Sequence, residues 1–300
     1  MIAPKLLVDA GQHRPCMAAG RRSGSRRALT VLELLIVLAS LTSVVSLVFP
    51  ALLASRESGR DRQCTNRLKE IALALKVYED YARTLPPGWT LESTKQSGYG
   101  WATAILPQLN EHALDSQIDR TGPLPAVAPQ VRQTTPVIFL CPSDHGNEDF
   151  PLFAELGAPG ANAQESTELL ATLPRANYVG LFGVIEPDEV PSTSGTGVFV
   201  EGRGIRYNEI TRGLSRVLLL GERTTRKLPT TWIGIMVRGE DAGGRIVGCA
   251  KDGPNLSASD ECEFDSRHFG HVNLAWVDGH VGSIEDGIDS IVYQSFAKRY

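Results

Sequence analysis

The feature that most constrains this chain is an uncharged run of 22 residues, 34–55, almost all of them apolar or small. A helix needs about 20 such residues to cross about 30 Å of hydrocarbon, so the run is long enough for one membrane span. Arg21, Arg22, Arg26 and Arg27 stand just before it, enough positive charge to hold that end in the cytoplasm. Glu33 is the odd member, a carboxylate just inside the mouth of the apolar segment. A charge buried there costs about 2.5–3.5 kcal/mol and needs a partner or a task. Three plain readings compete. A cleaved secretory signal wants a shorter apolar core and an A-x-A-like site, and neither is evident. Ser25-Arg26-Arg27 is a short match to a twin-arginine export signal. A simple anchor explains the length and the arginines but leaves Glu33 and Pro50 without a reason.

Beyond residue 55 the pattern changes from uniformly apolar to amphipathic. Cys64, Leu68, Ile71, Leu75 and Tyr78 recur in steps of four and three, which places them on one helical stripe. Arg67, Lys69, Glu70, Lys76 and Glu79 fall on the wetted side. Gly59 weakens the helix locally by about 1 kcal/mol relative to alanine, and Pro86-Pro87 stops it. Residues 29–82 are therefore expected to form one helix of about 80 Å, with the membrane span at about 31–54 and an amphipathic spine after it. Residues 86–300 are expected to form a β-rich domain.

Within that domain, 101–118 reads as a short helix interrupted near Pro107. Residues 136–144 read as an apolar strand, and 156–175, rich in Ala, Gly, Pro and Ser, as a surface loop. Further strand candidates are 177–185, 197–202, 215–223 and 231–239, spaced like an antiparallel sheet. Residues 271–277 and 280–284 flank Asp278-Gly279, the pair expected in a two-residue type I′ hairpin turn.

The start of the apolar helix resembles the processing signal of type IV pilins and type II secretion pseudopilins. The matching residues read Ala28, Leu29, Thr30, Val31, Leu32, Glu33, with Ala28 and Leu29 where that family usually has glycine and phenylalanine. The resemblance implies that a prepilin peptidase cuts between Ala28 and Leu29, removing a basic leader (1–28), and that Leu29 is N-methylated. Glu33 then becomes the fifth mature residue and Pro50 the twenty-second, the acid and the bend-associated proline of such proteins. It also implies assembly with other pilin-like subunits, where Glu33 meets the free amine of a neighbour's Leu29. More of the chain is similar to a large family of pilin-like bacterial proteins of undefined function. The pieces are CTNRLKEIALALKVYED (64–80), FLCPSD (139–144), NYVG (177–180), EITRGLSRVLLLGE (209–222) and the closing H-x9-DG box, His268 to Asp278-Gly279. In the fourth piece Arg212, Leu214 and Arg216 replace polar turn residues.

These features predict a pilin-like α+β fold, a long N-terminal transmembrane and spine helix packed on an antiparallel β-rich domain. They imply a single-pass protein of the cytoplasmic membrane with its domain outside, a structural subunit without enzymatic activity or cofactor. The competing class is a membrane-tethered binding or hydrolytic domain that does not polymerise. Nucleic acid is a poor partner: the leader carries +5 and residues 29–300 carry −9, with no basic cluster.

His268, His271 and His280 gather near Asp278, types that serve zinc or acid–base chemistry. No nucleophile or third ligand accompanies them in sequence, and histidines beside a turn commonly pair across strands. Asp260, Glu261, Glu263 and Asp265 offer oxygens for calcium but without an EF-hand spacing, although some pseudopilins bind calcium near their C-terminus. Cys16 lies in the leader, leaving Cys64, Cys141, Cys249 and Cys262 outside the membrane. The pairings expected are Cys64–Cys141 and Cys249–Cys262, with Cys64 and Cys141 as buried thiols the alternative.

Overall fold

The structure, a computed structural model, describes residues 30–155, 168–257 and 260–300. The basic leader and the expected cut between Ala28 and Leu29 lie outside the described residues. In chain order the elements are helix α1 (Val31–Ala82), strands β1 (Trp89–Leu91) and β2 (Ser97–Gly100), and short helices α2 (Trp101–Ala104), α3 (His112–Asp115) and α4 (Pro129–Arg132). Then come β3 (Asp149–Phe153), β4 (Leu169–Pro174), β5 (Tyr178–Gly183), β6 (Phe199–Val200), β7 (Arg203–Gly204) and β8 (Leu218–Glu222). The chain closes with β9 (Gly234–Met236), β10 (Val247–Cys249), β11 (His271–Trp276), β12 (Val281–Glu285) and helix α5 (Ser290–Phe296). The fold is α+β, a long apolar N-terminal helix leading into a β-rich domain.

Two compact units meet within α1, one ending at Leu52 and the other running from Leu53 to Tyr300. In the first, every helical residue from 31 to 52 is exposed, the large apolar side chains included. Among the described residues α1 is the one helix long and apolar enough to cross a membrane. Its first turn is closed by a reciprocal cap. Thr30 Oγ1 accepts from the Glu33 amide at 3.2 Å, and a Glu33 carboxylate oxygen accepts from the Thr30 amide at 2.8 Å and its hydroxyl at 3.0 Å. This is the T-x-x-E box that satisfies helix N-terminal donors.

In the second unit the amphipathic stripe becomes core. Cys64, Leu68, Ile71 and Leu75 are fully buried, and Tyr78 packs half-buried against them. Glu79, placed on the wet face from the sequence, is buried instead, near Tyr207. The helix ends on a left-handed Arg83 (φ 61°) whose amide donates to the Glu79 carbonyl at 2.7 Å, three residues before the prolines.

The core sheet is five-stranded, in the order β10-β5-β8-β11-β12. Three of its four pairings are antiparallel, but β10 joins β5 in parallel, so the sheet is mixed. Returning from the long excursion after β5, the chain enters the edge in the same direction, and the Cys249–Cys262 disulfide then ties β10 to the next loop. Gly221 in β8 has no room for a side chain: a Cβ there meets Leu274 Cδ2 at 2.1 Å and Phe264 Cδ1 at 2.6 Å. A second sheet, β1-β2-β9, and two hairpins, β3-β4 and β6-β7, complete the domain.

Three local expectations are corrected. Residues 137–139 form a 3-10 turn, not a strand. Between Pro136 and Pro142 the backbone bonds to one residue, Asn177: the Phe139 carbonyl accepts from the Asn177 backbone amide, and the Cys141 amide donates to Asn177 Oδ1. The end of the supposed loop is strand β4, because Ala171 and Leu173 alternate into the core opposite β3. The Asp278-Gly279 hairpin is not type I′. Only Gly279 in the loop has positive φ (92°), and its amide donates to the Trp276 carbonyl, the three-residue arrangement of a tight turn followed by a left-handed glycine.

Candidate functional site

The buried stripe of α1 continues towards the N-terminus with polar residues. Glu57, Asp61 and Cys64 follow the same four-and-three spacing as Leu68 and Ile71, so one face of the helix passes from carboxylates to a thiol to leucine. Opposite this polar stretch lie the residues of four distant segments: Cys141 and Ser143 after the 3-10 turn, Glu222 at the end of β8, His268 before β11, and Asn273 within it.

His268 is the centre of the arrangement. Its Nδ1 lies 3.0 Å from Glu57 Oε1, and its Nε2 lies 3.3 Å from Glu222 Oε1, 3.7 Å from Asp61 Oδ1 and 3.8 Å from Cys141 Sγ. The Glu57 oxygen also accepts from the Ser143 hydroxyl at 2.8 Å. Asp61 accepts from Asn273 Nδ2 at 2.7 Å and faces His271 Nε2 at 3.4 Å, and the two imidazoles stack with centroids 5.7 Å apart. Glu222 accepts from the Asn273 amide at 2.9 Å through its other oxygen. Cys64, Cys141, Glu222 and His268 are all buried, and the four ligating atoms they offer lie within 4.8 Å of one another.

Electrostatics follow from this packing. Burial works against a charged His268, but the hydrogen bonds and charges of Cys141 and Glu222 prevail and push its pKa up to about 11. The Cys64 thiol donating to Cys141 brings Cys141 down to about 6 against its own burial. The same bond, with burial, raises Cys64. The pattern is a thiolate–imidazolium pair with a second thiol holding a proton beside it. Burial also opposes ionisation of Glu57, yet Ser143, Arg60 and His268 together keep its carboxyl below the usual range.

Next to this cluster Asp144 carries a second, purely structural network. It accepts from Asn177 Nδ2 (2.8 Å), the Thr225 amide (2.9 Å) and Arg267 Nε (3.0 Å). The two networks give the sequence pieces a common place. Cys64, Cys141 with Asp144, Asn177, Glu222 and His268 come from the five stretches that carry the family resemblance, and the fold brings them to one side of the core. Glu57, Asp61, Glu222 and Asn273 were not singled out in sequence. The stripe spacing, carried back from Cys64, reaches the first two; Glu222 closes the 209–222 stretch, and nothing local marks Asn273.

The other sequence candidates are scattered. The two ends of the H-x9-DG box are separated by the length of β11: Asp278 and Gly279 shape the turn, where Asp278 accepts from the His280 amide at 3.1 Å. His280 Nδ1 lies 2.6 Å from Asp278, and its ring stacks on Trp276. The expected Cys64–Cys141 bridge is not formed: both are free, buried thiols, held against His268 and Glu222 as well as each other. The Cys249–Cys262 bridge is present.

The four acids considered for calcium do not converge. Glu263 accepts from the Lys251 and Asp252 amides, Asp265 from Thr224 and Arg226, and Asp260 from the Cys262 amide. Burial and neighbouring acids raise Glu261 on its own. Two surface clefts, of about 290 and 330 Å³, are lined by other residues, the first around Trp89 and Pro187 and the second around His145 and Arg175. Cys64, Cys141, Glu222 and His268 are all buried, and their donor atoms are close enough to hold an ion or a bond between the sulfurs.

A family model described as a protein of unknown function (DUF1559) matches residues 54–290. No curated protein and no solved structure matches the chain.

Proposed function

Because this chain belongs to the DUF1559 family, with an apolar helix preceding the matched region, we propose that it is a membrane-anchored, pilin-like structural subunit of a type II secretion or type IV pilus-like filament. The observation that carries the reading is the first half of α1. Residues 31–52 are helical, exposed and apolar around a single acid, Glu33, a surface suited to lipid before assembly and to neighbouring helices after it. In this reading a prepilin peptidase removes residues 1–28, Leu29 is methylated, and the domain stands outside the cytoplasmic membrane. Glu33 then pairs with the amine of an adjacent Leu29. The protein acts by assembling and is not an enzyme.

One observation favours the plainer reading of a tethered domain: Glu33 already has a local task, since it caps α1 through Thr30. Glutamine serves the same cap without the charge, so Glu33→Gln separates the two. Loss of filament incorporation at normal membrane levels supports intersubunit charge pairing. Normal incorporation reduces Glu33 to a cap. N-terminal sequencing of the membrane-extracted protein should find N-methylated Leu29 first. A chain beginning at Met1, or beyond residue 50, rules out the assembly reading.

A further inference from the structure

We propose that Cys64, Cys141, Glu222 and His268 bind one zinc ion that fastens helix α1 to the core sheet. The donor set is two thiolates, an imidazole nitrogen and a carboxylate oxygen, the types zinc takes in four-coordinate sites. A tetrahedron with Zn–S of about 2.3 Å and Zn–N or Zn–O of about 2.0–2.1 Å has ligand–ligand edges of about 3.3–3.8 Å. The fold already holds His268 Nε2 3.3 Å from Glu222 Oε1 and 3.8 Å from Cys141 Sγ, and keeps all four donor atoms within 4.8 Å of one another. Four ligands from four remote segments need to close by no more than about 1 Å around an ion.

Two independent features point to a cation at this place. Glu222 is a buried carboxylate, and among the described residues its ion pairing goes to His268 alone. That single imidazole must carry a proton to offset the buried carboxylate, and an ion held between the two supplies the same positive charge when the ring ligates as a neutral donor. The surroundings also have the form of an outer ligand shell. The far nitrogen of His268 meets the Glu57 carboxylate at 3.0 Å, and the far oxygen of Glu222 accepts from the Asn273 amide at 2.9 Å. A carboxylate behind a ligating histidine orients the ring and strengthens it as a donor. On binding, the Cys64 thiol proton and the one proton held between Cys141 and His268 leave, and the ion takes their place. The histidine of the H-x9-DG box thereby acquires a role that the turn at the other end does not explain. None of this depends on whether the subunit polymerises.

The test uses the full-length chain extracted from membranes in mild detergent, without chelator or reductant. Elemental analysis should find close to one zinc per chain, and cobalt exchanged into the protein should show the intense visible bands of a tetrahedral ion with thiolate-to-cobalt charge transfer. Cys141→Ser and His268→Gln should abolish both signals. Glu57→Gln leaves all four ligands intact at a partly exposed position, so it guards against simple unfolding; it should weaken zinc binding by about 10–100-fold. Asp260→Asn should change nothing. A Cys64–Cys141 disulfide in the native protein without metal overturns the proposal. So do free thiols that take up neither zinc nor cobalt, and metal content that survives both ligand substitutions.

Discussion

Helix α1 is one continuous element whose two halves obey different physics. From 31 to 52 the side chains are mostly apolar and exposed on every face, and among the described residues the side-chain hydrogen bonds of that stretch are local, serine and threonine hydroxyls folding back on the helix and the cap at Thr30. From 57 to 82 the composition is far more polar, yet one face is sealed in the core. Hydropathy alone therefore misjudges where stability comes from. The apolar half buries none of its described side chains, and the mixed half supplies much of the domain's core, because periodicity and not average polarity determines what can be buried.

The largest expected effect comes from cutting matched leucines in the two halves. Leu75→Ala removes a fully buried side chain and should lower unfolding stability by about 2–5 kcal/mol. Leu41→Ala, at 55% exposure, should leave the domain's thermal midpoint in detergent unchanged within about 0.5 kcal/mol. Equal losses from the two would erase the division.

The acids divide the same way. Glu33 is exposed at the helix mouth, whereas Glu263 is fully buried in the domain. Burial, set against hydrogen bonds from the Lys251 and Asp252 amides, pushes Glu263 up to about 7 from 4.5. The folded state therefore holds a proton that the unfolded chain gives up between these values. The stabilisation is fully present below about pH 4.5 and lost as pH rises through 7. Glu263→Gln should flatten this slope, removing up to about 3 kcal/mol of pH dependence across that window. Denaturant titrations at pH 4.5 and 7.5 measure it, and identical slopes in mutant and parent would show that Glu263 ionises freely inside the fold.

These contrasts also explain what was legible in the sequence. The helix, its stripe, strands β5, β8, β11 and β12 and the Cys249–Cys262 bridge follow from spacing, because each depends on residues close along the chain. Strand β4 is not legible because alanine and proline disguise alternation that only its partner β3 makes visible. The 137–139 turn is not legible because apolarity says that a segment is buried but not where its backbone groups bond, and here the Phe139 carbonyl goes to the Asn177 amide. The zinc-type cluster was least legible. Cys64 and Cys141 lie side by side as free thiols and not as the expected disulfide, and their meeting with Glu222 and His268 is defined by sheet order β5-β8-β11, which no local pattern encodes. The type I′ expectation failed on one residue, since Asp278 keeps negative φ and only Gly279 turns left-handed.

A smaller effect sharpens the comparison at the helix start. Thr30→Ala removes half of the reciprocal cap and should cost the first turn about 1 kcal/mol. The loss should appear as reduced helicity and faster amide exchange confined to the first turn, with the domain's midpoint unmoved. A shift in that midpoint would mean that the apolar half feeds into domain stability after all.

The smallest expected effect lies at Gly59, where the packed half has just begun. Helix propensity disfavours glycine there, and a Cβ meets no atom within 4 Å. Gly59→Ala should therefore stabilise the domain by about 0.5–1 kcal/mol, through helix propensity and a less flexible unfolded chain. Glu57 and Asp61 flank this position and point at His268 and Asn273, so the gain requires that the helix already has its final geometry without glycine's freedom. If Gly59→Ala instead loses stability or displaces the metal bound at Cys64, the polar face of α1 needs a local deformation to reach its partners. The boundary between the two halves would then be a hinge of the ligand site and not merely a change of surroundings.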